Sequence, residues 1–477
     1  MRLFPIAVTL LLAWGALAIG GSPSWAGAPV AVFAVATGIL GFLERRESSA
    51  ANALPKIPHR PVILALVLFL AAIGMQLVPL PASVVASLSP AHDVAEFEKL
   101  LATADNRDPE LIPVLASDAA RPLSIAPART WWGLGFAAAF AVYVIGASRG
   151  LSAVGIQGIT RTIIGLGAVV AFLGIYQMAS GTATLYGLYV PFTPSRSAPF
   201  VNRNHQAGWL VMVLSLTVGM FAGDVARGMR GVAPRWRDRM IWFSSKEANV
   251  AIMVLFASGI VAIGILTTQS RSGAIALLLA LTVLALLSGL RQPSKARRRV
   301  AIISLVVVAV IALLTSGDAV MSRFAGTAWA NGEGRFAAWQ DSSRIVRDFS
   351  ITGTGFNTYG VSMLHYQTVV GVGKFIEAHN DYIQLAAEGG FLLGIAALLL
   401  VASVAVEIRR RFREGADDTC THWVRIGAIT GLLAMAFQSL VEFTLQMPGA
   451  AVMFATLLAV AIHHPRPRPV GPERHAQ

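Results

Sequence analysis

The strongest constraint on this chain is a repeating block: stretches of about 17–20 apolar residues, nearly free of charge, set between polar or basic loops. About twenty apolar residues is the length of helix that crosses a bilayer core of about 30 Å. Inside lipid a helix also satisfies its own backbone hydrogen bonds, which an isolated strand cannot do. Twelve such segments are read, at 3–20, 28–43, 61–80, 130–147, 162–179, 205–222, 250–268, 273–290, 300–316, 388–406, 425–443 and 447–463. The predicted fold is all-α: a polytopic membrane protein of about 12 transmembrane helices, with a long non-cytoplasmic loop between the ninth and tenth. Composition agrees, since 55% of the 477 residues are hydrophobic and only 13% are charged, about half the charge of a soluble domain. A single cysteine, Cys420, excludes an internal disulfide framework and a multi-cysteine metal cluster.

A formal charge of +13 would suit nucleic acid, but its placement argues otherwise. Alternate loops hold 26 of the 38 Lys and Arg, including Arg235, Arg237 and Arg239, Arg297 to Arg299, and Arg409 to Arg411. Under the positive-inside rule these loops are cytoplasmic, both termini lie inside, and no nucleic-acid partner is expected. The expected organisation is one transmembrane domain over 1–463, with non-cytoplasmic loops at 81–129 and 317–387, periplasmic if the chain is bacterial, and a disordered cytoplasmic tail at 464–477. The stretch 91–120 carries a weak helical pattern suited to the membrane surface. Arg2, an apolar run and then Pro23 to Ala26 have the layout of a cleaved signal peptide, but the run is long for one, and an uncleaved first helix is expected.

Polar side chains gather on the non-cytoplasmic side. The turn Thr268-Gln269-Ser270-Arg271-Ser272-Gly273 separates two apolar helices by almost nothing. It puts Arg271 at a helix N-terminus that Ser270 or Ser272 can cap, a place suited to an anion, or to a guanidinium snorkelling to headgroups. The segment 195–205 sets Arg196, Asn202, Arg203, Asn204 and His205 at another outer helix mouth, as anion donors or as an interfacial loop with Asn204 as N-cap. A third segment runs Gly353-Thr354-Gly355, then Glu377-Ala378-His379-Asn380-Asp381-Tyr382. Asn380 or Asp381 is the expected cap there, with Gln384 at capping-box spacing from Asp381. His379 then faces outward as a proton acceptor or a structural hydrogen-bonder. Arg335, Arg344, Arg347 and His365 read as a solvated helix face.

In order and spacing these segments resemble the O-antigen ligase/polymerase family. The carriers are Arg196 to His205, Ser270 to Gly273, Gly353 to Gly355 and Ala378 to Tyr382, together with Pro122-Leu123-Ser124 and Ala128 to Trp131. The resemblance is strongest over about 195–445. It implies a membrane glycosyltransferase fold that moves a glycan from undecaprenyl pyrophosphate to an acceptor at the periplasmic face of the bacterial inner membrane. The acceptor is a lipid A core, another glycan or a protein side chain. The resemblance maps the anion-binding arginines onto Arg196 and Arg271 and the periplasmic histidine onto His379. Pro199 stands where relatives often have glycine, which makes Arg203 a competitor for the role of Arg196.

The residues suit that chemistry. Paired arginines stabilise a departing pyrophosphate, and His379 takes the acceptor's proton. Arg203, Asn204, Arg335 and Asn380 complete the expected binding set. No Asp-x-Asp pair occurs on the outer side, so no metal and no cofactor are expected. The alternatives are an O-antigen or exopolysaccharide polymerase, a bicarbonate-uptake-like transporter and a non-catalytic scaffold. A carrier places ionisable groups at mid-membrane in broken helices. Here the spans are nearly free of them, with Glu442, near an outer helix end, the main exception.

Overall fold

The computed structural model describes residues 3–44, 59–92, 120–182, 184–187, 189–190, 197–233, 235–289, 330–368 and 373–464. Arg196, the expected ninth span at 300–316, most of the 91–120 stretch and the tail from 465 lie outside the described residues. The rest is helical, with no strand among the described residues. In chain order the helices are α1 (Leu3–Leu17), α2 (Ser24–Leu43), α3 (Arg60–Met75), α4 (Ala82–Leu88), α5 (Pro127–Val154), α6 (Gln157–Ser180) and α7 (Arg203–Gly228). There follow α8 (Trp236–Trp242), α9 (Lys246–Thr267), α10 (Arg271–Gly289), α11 (Ala330–Asp348), α12 (Tyr359–Tyr366), α13 (Asp381–Glu414), α14 (Thr419–Gln438) and α15 (Pro448–Ile462). Seven of these, α2, α5, α6, α7, α9, α13 and α14, are long and apolar enough to cross a membrane, and α1, α3, α10 and α15 are shorter apolar helices.

The bundle is organised around α7. Trp209, Leu210, Val211, Met212 and Val213 are consecutive and all fully buried. A helix apolar on every side belongs at the centre of a bundle. Its neighbours are α14, α9, α10 and α6. Small residues permit the closest crossings, as expected where lipid removes the usual hydrophobic drive between helices. A Cβ on Gly146 of α5 would lie 2.1 Å from the Gly38 carbonyl of α2, so any larger residue would push the two helices apart. Helix α1 packs into the same core through Phe4, Val8 and Leu11 and crosses α15 where Gly15 meets Gly449.

Helix α13 is interrupted near its start. Gly390 has φ +54° and ψ −156°, a conformation that essentially requires glycine. The break frees two amides, Phe391 N donating to Ser350 O at 2.8 Å and Leu392 N to Ile351 O at 3.0 Å. The 350–355 turn therefore inserts against the helix. Gly353 is forced there as well, because a Cβ would sit 2.2 Å from the Glu388 carbonyl. This pins the segment carrying Asn357 and α12 to the first two turns of α13.

Candidate functional site

At one end of the bundle, three helix starts and one unwound helix end meet. Helix α7 begins under an Asn202 cap, whose side chain accepts from Asn204 N at 2.8 Å. Asn202, not the expected Asn204, is the cap, because its extended backbone aims Oδ1 at the first free amide. The Asn204 side chain is left to bridge: Nδ2 donates to Glu442 Oε1 at 2.7 Å, and Oδ1 accepts from Ser270 Oγ at 2.7 Å. Ser270 in turn caps α10, accepting from Gly273 N at 3.0 Å. The turn into α10 is tight enough to hold Gln269 at φ +54°. Gln438, the last residue of α14, donates to Asn204 O at 3.0 Å.

Beyond Gln438 the chain leaves helical geometry five residues before the expected end of that span. This carries Glu442 into the cluster, 1% exposed. Arg335 of α11 reaches it with Nη2 at 2.8 Å and also donates to Val441 O at 3.2 Å. His379 approaches from the other side, Nδ1 at 3.9 Å from Glu442 Oε2. The His379 backbone lies at φ +52°, a left-handed conformation uncommon for residues other than glycine. Bonds on both flanks hold it there. Trp339 Nε1 donates to Ala378 O at 2.9 Å, and Ala378 N donates to Gln384 Oε1 at 3.0 Å. On the far flank Asn380 caps α13, accepting from Tyr382 N and Ile383 N at 3.0 Å, and donates to Leu440 O at 2.8 Å. The cap is therefore Asn380, and the capping-box spacing from Asp381 goes unused, since Gln384 bonds Ala378 instead. Phe443 packs edge-on between the rings of His205 and His379, at 4.6 and 4.7 Å.

The electrostatics of this cluster are unfinished. Burial alone would raise the Glu442 carboxyl, but the His379 imidazole and then the Arg335 guanidinium outweigh it and hold the carboxyl below its ordinary value. Four buried polar atoms nonetheless make no hydrogen bond among the described residues: Glu442 Oε2, His379 Nδ1, His205 Nε2 and Gln438 Oε1. Unsatisfied buried groups are costly, about 1–3 kcal/mol each. Such atoms cluster where a ligand or solvent completes the network. A partly exposed imidazole beside a buried carboxylate is the arrangement of a proton acceptor whose cationic form the carboxylate stabilises.

Of the expected site residues, Asn204, Arg335, His379 and Asn380 lie in this network. Arg271 is half-buried at the first position of α10, between Ser270 and Ser272, both of which belong to it. Arg203 is exposed at the first position of α7. Arg335 departs from the solvated face on which Arg347 remains 72% exposed. Arg344, also on that face, pairs with Asp341. The sequence signal for Glu442 was its isolation at the end of an apolar segment; nothing in the sequence ties it to residues 107 and 238 positions away.

No curated protein matches the chain. Residues 254–398, which run from α9 through Arg271, Arg335, His379 and Asn380 into α13, match the family model described as O-antigen ligase, and over that stretch the chain resembles the O-antigen ligase family.

Proposed function

We propose that this protein is an O-antigen ligase-like membrane glycosyltransferase that transfers a glycan from undecaprenyl pyrophosphate to an acceptor on the periplasmic side of the bacterial inner membrane. Ligation to a lipid A core and polymerisation onto another lipid-linked glycan share this chemistry. Twelve crossings, the ninth at 300–316, place the loops 81–129 and 317–387 and the whole Glu442 cluster outside, because the alternate loops carry most of the basic residues. The observation that carries the reading is the meeting of Asn204, Arg335 and His379 on the buried Glu442 carboxylate at one end of the bundle.

The transfer has no need of an energy source beyond the activated donor. The acceptor oxygen attacks the anomeric carbon, the bond from that carbon to the pyrophosphate oxygen breaks, and the lipid pyrophosphate leaves as an anion. His379 receives the acceptor's proton, and Glu442 stabilises the imidazolium that results. Arg271, Arg203 and Arg196 meet the pyrophosphate charge, and Arg335 fixes the Glu442 carboxylate. Asn380 holds the His379 segment as the cap of α13. No metal ion takes part in this reading. The test is transfer by the purified protein in proteoliposomes with undecaprenyl-pyrophosphate-linked glycan and its acceptor. His379→Ala is expected to lose transfer while retaining donor binding. Full activity in both His379→Ala and Arg271→Ala would remove the assignment. For the topology, cysteines placed in 81–129 or 317–387 in a Cys420→Ser background are expected to react with an impermeant thiol reagent in intact spheroplasts. Reaction only after lysis would reverse the sidedness.

A further inference from the structure

On the other face of the segment that carries His379 lies a cavity of about 440 Å³ whose chemistry differs from that of the Glu442 cluster. Its polar wall is formed by Arg129, Asn357, Glu377, Glu388 and Gln446. Its floor is aromatic, with Trp132, Phe136 and Phe140 of α5. The two compartments share their partitions. Glu377 lines the cavity while His379, two residues on, faces Glu442. Leu445 and Gln446 line it just after Glu442 itself.

The cavity does not end in protein. Ala28, Trp132 and Phe136 also line a second, apolar cleft of about 570 Å³ between α2 and α5. From Trp132 to Ala139 this cleft descends about 10 Å along the helices, at about 1.5 Å per residue. It closes where Gly38 and Gly146 bring the two backbones into contact. A polar chamber continuous with a blind apolar cleft in the outer half of the bundle fits a molecule with a polar head and a hydrocarbon chain.

The chamber is poorly suited to a pyrophosphate. Arg129 is the one basic side chain among its described lining residues, and two carboxyls share the wall. Both oxygens of Glu388 accept backbone amides, from Asn357 N at 2.8 Å and Tyr359 N at 3.0 Å, so its role is to hold that turn. Glu377 accepts from Gln384 Nε2 at 2.5 Å. Burial raises the Glu377 carboxyl to about 8; the Gln384 bond and Arg129 oppose the rise, and Glu388 and Asp381 add to it. At neutral pH it is a carboxylic acid that donates as well as accepts, which matches sugar hydroxyls. The Trp132 indole, 58% exposed, offers a flat apolar surface to a sugar ring.

Resting on the transferase reading, we propose that this cavity and cleft hold the second substrate, a glycan carried on a membrane lipid, with the sugar beside Glu377 and the hydrocarbon chain between α2 and α5. The acceptor is thereby a glycolipid and not a protein side chain. Gly135 lies on the cleft and has nothing within 4 Å of an added Cβ, so a large residue there obstructs the cleft without disturbing the packing.

Two measurements test this. The first is independent of transfer. Full-length protein carrying benzoylphenylalanine at position 135 is irradiated in the membranes of its own cells, and the adducts are identified by mass. A lipid-linked glycan is expected, its mass telling an isoprenoid from an acylated anchor. Phospholipid alone would overturn the proposal. The second uses proteoliposomes with undecaprenyl-pyrophosphate-linked glycan and the cells' glycolipid fraction, intact or stripped of its lipid. Gly135→Phe is expected to raise KM for the intact acceptor at least about tenfold at unchanged kcat. The same substitution at Gly165 of α6, also in open space, leaves KM unchanged. Glu377→Leu is expected to raise KM as well, and Glu377→Gln to restore it. An unaltered KM in Gly135→Phe, or wild-type protein that glycosylates only protein, would sink the proposal. A wild-type protein that transfers to no acceptor would instead sink the transferase reading, while the cross-link still reports what fills the cleft.

Discussion

Glu442 and Glu407 are two buried carboxylates near opposite ends of the bundle, each with an arginine and a histidine as partners. Around Glu407 the charged partners are buried and within bonding distance, although His59 Nε2, His464 Nε2 and Arg411 Nε make no hydrogen bond among the described residues. Arg411, fully buried, reaches it at 2.7 Å and Glu414 at 2.7 Å, and His59 bonds it at 2.9 Å. Nearby, Arg425 is fully buried against Asp417 at 2.8 Å and the His463 carbonyl at 3.1 Å. Around Glu442 the same residue types are more open, although Arg335 bonds the carboxylate at 2.8 Å. Arg335 is 33% exposed and His379 is 27% exposed, with the imidazole 3.9 Å from the carboxylate, too far for a hydrogen bond. The first cluster ties α3, α13 and the chain beyond α15 together. The second leaves accessible groups beside a buried charge. Neither residue identity nor unmade hydrogen bonds separate a clamp from a site here, since both clusters have them; the exposure of the arginine and the histidine does.

Paired substitutions at the two carboxylates test this distinction. The largest effects are expected at the two arginines, and they should differ in kind. Arg411→Ala strands Glu407 in the interior, a loss of about 3–5 kcal/mol, read as a drop in thermal midpoint and in folded yield. Arg335→Ala should lower the midpoint less, because Glu442 keeps its Asn204 bond and the place of a partly exposed side chain admits solvent, yet lower transfer strongly, because the carboxylate beside His379 loses the group that fixes it. Equal unfolding in both variants would erase the distinction between clamp and site. Arg271→Lys is expected to be impaired to a lesser degree than Arg271→Ala, since lysine keeps the charge and loses the planar fork; wild-type transfer by the lysine variant would limit Arg271 to a point charge.

A smaller effect follows from Glu377. Its carboxyl holds a proton to about 8 in the folded chain, against an ordinary value of 4.5. Between those values the folded chain binds a proton that the unfolded chain has released. Stability therefore declines as pH rises from 4.5 to 8 and levels off above. Glu377→Gln is expected to flatten that part of the profile, measured as thermal midpoint against pH, and an unchanged slope would assign it to other groups. The smallest effect is expected from chelation. Among the described residues the grouping spaced to hold a metal is His59, Glu407 and His464, at the clamp, where Arg411 also bonds His464. A chelator is expected to leave transfer unchanged, and a dependence on added divalent cation would show that the Glu442 cluster works with a metal.

The helices were legible because a span is apolar whether it faces lipid or the bundle core, as α7 does over 72% of its most apolar stretch. Their ends were less so. The start of α13 at Asp381 was marked by its Asn380 cap and not by hydropathy, which begins the apolar span only at 388. The end of α14 was read late for the opposite reason: apolar residues continue past Gln438 although the chain has already unwound to deliver Glu442. Segments legible by local chemistry, such as the Ser270 cap and the His379-Asn380 pair, lie in the site. Asn204 is open in the sequence between a binding donor and a helix cap, because its partner Glu442 is 238 positions away. Arg335 reads both as part of a solvated face and as a binding residue, because α11 is amphipathic overall and a single inward arginine leaves no periodic trace.

The left-handed backbone at His379 has one more consequence, which concerns variation. A residue other than glycine in that conformation costs about 1–2 kcal/mol, so the protein is less stable for carrying an imidazole there. His379→Gly relieves the backbone and removes the base, while His379→Ala removes the base and keeps the strain. The glycine variant should melt above the alanine variant, and both should be inactive. Libraries screened for heat resistance alone will drift toward glycine at this position and fill with stable, silent protein, whereas a screen for surface glycan will reject the same substitution.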